Sequence, residues 1–157
     1  MHKMSGFQEY GGKERVVIIE NILGITLVVV LMILSWQDMR EKKIDLRICA
    51  AETGMLIFLR LIFNHMAFVI TGGVLGIVML ILAYISRQAI GYGDGCVFVM
   101  TGVYLGGYKN FLLIFLSLCI AALYSGVLLF VMHKSKNYIM PFLPCILLGF
   151  MVVTVIG

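Results

Sequence analysis

Charge is scarce in this chain, with only 13% of its 157 residues charged. Soluble domains carry about 25%. Against that, 62% of the residues are hydrophobic. Water cannot solvate such a composition as a monomeric globule, so lipid is the expected solvent and an integral membrane protein the expected class. The net charge of +4 is too modest to signal nucleic acid and reads better as membrane topology. The four cysteines, Cys49, Cys96, Cys119 and Cys145, form no C-x-x-C pair. No zinc site is suggested, and free buried thiols are the default. His2, His65 and His133 lie in a tail and two separate loops and share no face, so they make a poor metal site. Ser35, Ser117 and Ser125 have no histidine at a matching depth, which leaves a serine nucleophile unsupported. No repeat and no soluble domain is evident, and no cofactor is implied.

Long apolar runs fill the rest. Spanning helices need about 20 apolar residues. Val16–Trp36, Ile48–Phe63, Met66–Ile85, Phe111–Met132 and Ile139–Gly157 fit that length or approach it. Residues 1–15 form a polar tail, mobile or interfacial, ahead of a membrane domain at 16–157. The first run is too long for a signal-peptide core and lacks a small-residue cleavage site, so it is expected to be retained. Glu52 and Arg60 fall in the second run and are expected to face other helices or an interface, because charge facing lipid is costly. Pro141 and Pro144 stand near the start of the last run, where a helix tolerates proline. A shorter piece, Gly91 to Gly107, completes an all-α architecture of six segments.

Basic residues favour one orientation. Arg40, Lys42, Lys43, Arg47, Arg87, Lys134 and Lys136 fall in alternate loops. Lys3, Lys13, Arg15, Lys109 and Arg60 fall on the other side. The first set is expected to be cytoplasmic, with both chain termini outside.

The chain has three aspartates. Asp38 ends the first segment, and Asp94 begins the fourth inside the stretch GYGDGC. On this topology both lie at the cytoplasmic side, at one depth. Facing carboxylates share a proton, and such a pair can activate water as general base while donating to a carbonyl oxygen as general acid. Gly91 and Gly93 permit positive φ and leave no Cβ in the path of a peptide backbone. Tyr92 lines the cleft or is one more interfacial aromatic. Simpler readings stand beside these. Asp94 serves equally well as a helix N-cap, and Asp38 as a solvated loop residue. Asp45 reads as solvated.

Three patches carry a family resemblance. Asp38-x-Arg40-x-x-x-Ile44 is similar to a D-x-R-x-x-x-I-P-N motif. Gly91-Tyr92-Gly93-Asp94 matches G-x-G-D. Pro141-Phe142-Leu143-Pro144 with Leu148-Gly149 is similar to P-F-x-P-x-L-x-x-G. In order and spacing the chain resembles the type IV prepilin peptidases, in their short, peptidase-only form found with Flp/Tad pili. Two departures are plain. Asp45-Leu46 replaces the usual Pro-Asn, and Cys96 stands where lysine is common. The resemblance implies a multi-pass aspartic protease of the bacterial or archaeal cytoplasmic membrane. Asp38 and Asp94 would be catalytic, and Gly91, Tyr92 and Gly93 would lie along the substrate. The implied substrate is a prepilin-like precursor with a short basic leader. No metal, cofactor or nucleic acid is implied, and N-methylation of the product is not expected. A small transport or channel subunit and an inactive assembly homologue are the alternatives. A presenilin-like protease also uses G-x-G-D, but its larger body and P-A-L motif are not matched here.

Overall fold

The computed structural model describes residues 4–41, 44–62, 66–85, 91–130 and 141–156. Within these stretches, side chains are described from Val17 onward, apart from those of residues 68, 129 and 130. The described residues are all-helical, with six helices in chain order: α1 (Met4–Glu41), α2 (Leu46–Ile62), α3 (Met66–Ile85), α4 (Tyr92–Leu105), α5 (Gly107–Phe130) and α6 (Leu143–Ile156). Two of them contain stretches long and apolar enough to cross a membrane, Val17–Glu41 and Gly107–Leu128. Shorter apolar helices run over Val69–Ile85 and Leu143–Ile156. His2, His65 and His133, and the basic residues Lys3, Lys42, Lys43, Arg87, Lys134 and Lys136, lie outside the described residues.

Two boundaries differ from the sequence reading. Helix α1 begins at Met4, inside the stretch read as a polar tail, and runs one turn past Trp36 to Glu41. Asp38 is therefore a helical residue. The α4–α5 connection is a single residue, Gly106, at φ 78° and ψ 175°. Only glycine adopts such a backbone without strain. Its N–H returns to Gly102 O at 2.9 Å and its carbonyl accepts Asn110 N–H at 3.0 Å. The turn is so tight that Lys109 falls in the first turn of α5 and not in a loop.

The core is built around α4. Val97, Phe98, Met100 and Val103 are buried on it, and α2, α3 and α5 pack against it. Helix α1 buries a stripe of Leu23, Leu27, Leu31 and Leu34, with the three- and four-residue spacing of one helical face. Its neighbours are α6 and α2. The opposite face of α1 is exposed and equally apolar, with Ile18, Ile22, Ile25, Val29, Met32 and Trp36. Polar groups are instead turned inward: Thr101, Asn110 and Ser117 are fully buried.

Helices α3 and α4 approach backbone to backbone. A Cβ on Gly72 would strike the Gly102 carbonyl, and one on Gly76 would strike the Phe98–Val99 backbone. Small residues allow this approach, and it exposes carbonyls to cross-helix donors. Asn110 uses them: its Nδ2 donates to Phe98 O at 3.2 Å and to Gly72 O at 3.4 Å, while its Oδ1 accepts from Thr101 Oγ1 at 3.1 Å. One buried amide thus ties α3, α4 and α5. Gly73, by contrast, has nothing within 4 Å of a notional Cβ.

Candidate active site

The buried stripe of α1 ends on Asp38, which is 9% exposed. That disposes of the solvated-loop reading: the residue lies one helical turn beyond Leu34, on the same inward face. Its Oδ2 accepts the backbone N–H of Leu143 at 3.1 Å. Leu143 is the first residue of α6, where backbone N–H groups have no partner within their own helix. Of the next two residues, Pro144 has no N–H to satisfy, and the Cys145 N–H turns back to Phe142 O at 3.0 Å. The PFLP stretch therefore leaves one amide aimed at one carboxylate.

Asp94 is 8% exposed. Helix α4 starts at Tyr92, and Gly91 is its N-cap, with no side-chain capping bond. The N-cap reading of Asp94 is thereby replaced. The residue stands third in the helix, and its N–H bonds Gly91 O at 3.1 Å. Its carboxylate lies within Coulombic range of Asp38. Cys145, two residues into α6 from Leu143, lies within range of both carboxylates. Asp38 on α1 and Asp94 on α4 are thus both buried and within Coulombic range of one another. Cys145 had no marker in the sequence, because a lone cysteine in an apolar run reads as packing.

The glycines of GYGDGC act by close approach and not by positive φ. Gly91 has φ −64°, and Gly106 is the one positive-φ glycine among the described residues. A Cβ on Gly91 would lie 3.0 Å from Asp94 Oδ2. A Cβ on Gly93 would overlap the side chain of Ile44, and one on Gly95 would lie 3.0 Å from Leu80 Cα. The Ile44 of the first patch is therefore seated on the Gly93 of the second. Phe142 of the third patch meets Phe98 of α4 edge-on, with ring centroids 6.2 Å apart. Gly149 receives Ser117, whose Oγ would lie 2.7 Å from a Cβ there. Tyr92 is exposed.

The two departures have local accounts. Asp45 is exposed, as expected of a solvated residue, but it also caps α2. Its Oδ1 accepts Arg47 N–H at 3.0 Å, and its carbonyl accepts Ile48 N–H at 3.2 Å. Cys96 is half-buried on α4, within Coulombic range of buried Cys49 on α2. Cys49 and Cys145 are buried free thiols, whereas Cys119 is exposed, contrary to the expectation of burial.

Glu52 and Arg60 face inward, at 9% and 6% exposure. Glu52 Oε1 has no hydrogen-bond partner among the described residues. Arg60 has several, at the end of the bundle away from the aspartates. It pairs with Glu20 of α1 at 3.3 Å and donates to Tyr104 O of α4 at 2.8 Å.

Compared with known proteins, residues 25–126 match the model of the type IV leader peptidase family. The match includes Asp38, Ile44 and the GYGD stretch, and ends before Pro141. No curated protein and no solved structure matches the chain.

Proposed function

The chain belongs to the type IV leader peptidase family, and from that premise we propose that it is a membrane aspartyl endopeptidase whose dyad is Asp38 and Asp94. The observation that carries the proposal is their convergence. Two carboxylates from helices 56 residues apart in sequence lie buried and within Coulombic range of one another. In the proposed mechanism one carboxyl carries a proton and the other is ionised, the division of labour that facing carboxylates allow.

The chemistry follows from that proton. A water molecule between the carboxylates gives one proton to the ionised partner as its oxygen bonds the scissile carbonyl carbon. The protonated partner gives its proton to the carbonyl oxygen, and a gem-diol results. A reverse transfer protonates the amide nitrogen, the C–N bond breaks, and the new carboxyl and amine leave. The two carboxylates can exchange these roles, so neither member is assigned one.

The bilayer is the solvent in this reading. The outward apolar face of α1, together with buried Asn110, Thr101 and the aspartates, is the arrangement lipid favours. The six helices are the six spans, with both termini outside, and the dyad lies at the cytoplasmic face. A pilin-like precursor presents its basic leader there, and its first apolar segment follows into the bilayer. Gly91, Tyr92 and Gly93 lie along its path, Tyr92 at the rim. The proposal assigns cleavage alone, without methylation of the product.

The test is co-expression with a pilin-like precursor, reading the product mass in membranes. Loss of the leader with the native chain, and intact precursor with either Asp38→Asn or Asp94→Asn, supports the dyad. Full processing by a stable form of either variant removes it.

A further inference from the structure

Helices α1 and α4 carry the two aspartates, yet α1 packs on α6 and α2, while α4 packs on α3, α2 and α5. Helix α2 packs against both. On it stands Arg60, 6% exposed. Its Nη1 meets Glu20 Oε1 of α1 at 3.3 Å, and its Nη2 donates to Tyr104 O of α4 at 2.8 Å. Its guanidinium also lies over the Tyr104 ring, 5.8 Å from the centroid. The Tyr104 hydroxyl completes the circuit by donating to Glu20 O at 3.3 Å. Gly24 makes room, since a Cβ there would crowd that hydroxyl.

Three facts give this cluster more than a packing role. Tyr104 O belongs to the last turn of α4, where carbonyls lack helical partners and a cation is favoured. Arg60 therefore binds the C-terminal end of the helix whose first turn holds Asp94. Glu20 lies on the helix whose last turns hold Asp38. A planar guanidinium with several donors can serve both at once, and an ammonium cannot do so in the same geometry.

We infer that Arg60 is a positioning residue for the dyad: it clasps α1 at Glu20 to the C-terminal end of α4 and thereby sets the separation of Asp38 and Asp94. The inference rests on the two-aspartate reading above. Glu20 to Asp38 is 18 residues of continuous helix, an arm of about 27 Å; Tyr104 to Asp94 is ten residues, about 15 Å. A tilt of about 3° at Glu20 moves Asp38 by about 1.4 Å over that arm. Misplacement of about 1 Å at a reacting centre costs on the order of 100-fold in rate. Among the described residues, the titratable groups in mutual range at the moving end are Asp38, Asp94 and Cys145. Their coupling changes with separation, so the pH–rate profile reports the displacement.

The experiment is steady-state cleavage of a pilin-like precursor by the purified chain in lipid vesicles. Arg60→Gln is expected to lower kcat by about 10- to 100-fold with KM within about threefold, and to change the width of the pH–rate profile. Arg60→Lys is expected to fall between. Unchanged kcat overturns the inference. So does activity lost only in proportion to unfolded protein, with the pH profile intact, which is what a purely structural residue gives. Should Arg60→Gln not fold, Glu20→Gln, which alters only the half-exposed end of the clasp, reads the same quantities. A several-fold fall in kcat with a changed profile supports the inference, and an unchanged profile ends it. Asp38→Asn and Asp94→Asn on the same precursor keep the two ideas apart. If either still cleaves, the dyad is wrong; if both are dead and Arg60→Gln is fully active, only the clasp is wrong.

Discussion

The backbone N–H of Leu143 donates to the Asp38 carboxylate at 3.1 Å, joining the first helix to the last across 105 residues. The bond answers a problem that the sequence poses. A carboxylate near the C-terminal end of α1 faces the negative end of its own helix dipole. The positive end of α6 is brought against it, in the place where basic neighbours would otherwise be needed. Proline at position 144 is tolerated because it falls in the first turn, where its missing N–H breaks no helical bond.

Asp38→Asn and Asp94→Asn are each expected to reduce precursor cleavage by about 10³-fold or more, within the range of lost general acid–base catalysis. The fraction processed in membranes, normalised to folded protein, is the measurement. Near-native processing by either variant contradicts the expectation.

Asp45→Ala separates the third aspartate from the other two. Asp45 caps α2 through Arg47 N–H, and loss of such a cap costs about 1 kcal/mol. Thermal unfolding in detergent should fall slightly, with kcat unchanged. A dead but folded enzyme would place Asp45 in the chemistry.

Glycine substitutions sort by what surrounds them. Gly91→Ala sets a methyl 3.0 Å from Asp94 Oδ2, and Gly93→Ala drives into Ile44. Both are expected to lower kcat by about tenfold or more through displacement at the site. Gly126→Ala has nothing within 4 Å and is expected to be neutral, or stabilising by up to about 1 kcal/mol from helix propensity. Equal activity in all three would show that the close approaches carry no function.

The α3–α4 seam sets a different expectation. Gly72 and Gly102 face one another with no room for a side chain. Gly102→Ala is expected to cost about 1–3 kcal/mol through overpacking. Asn110→Leu removes the amide bonds to Gly72 O and Phe98 O, at about 0.6–1.7 kcal/mol by the range seen for polar contacts between membrane helices. Unfolding curves of the two variants test both figures.

Much of this protein is legible residue by residue. Six apolar stretches are visible because a helix that crosses lipid needs a set apolar length, and the six helices of the described residues overlap them. Asp38 and Asp94 stand out because acidic residues are few and two of them border apolar runs. Other features are hidden from a linear reading. The positive φ of Gly106 replaces an expected loop with a one-residue turn, and nothing distinguishes that glycine from 16 others.

What the sequence by itself determined is which segments form helices and which side chains are costly to bury, since hydropathy and helical spacing are local properties. Only the tertiary structure decided which costly groups meet. Cys145 comes within Coulombic range of both aspartates, Ile44 closes over Gly93, and Arg60 reaches Glu20 and the end of α4. Each of these depends on how rigid helices rotate and slide against one another. That is settled by where glycines allow backbones to touch and where a buried charge or amide finds its partner, and no single segment carries that information alone.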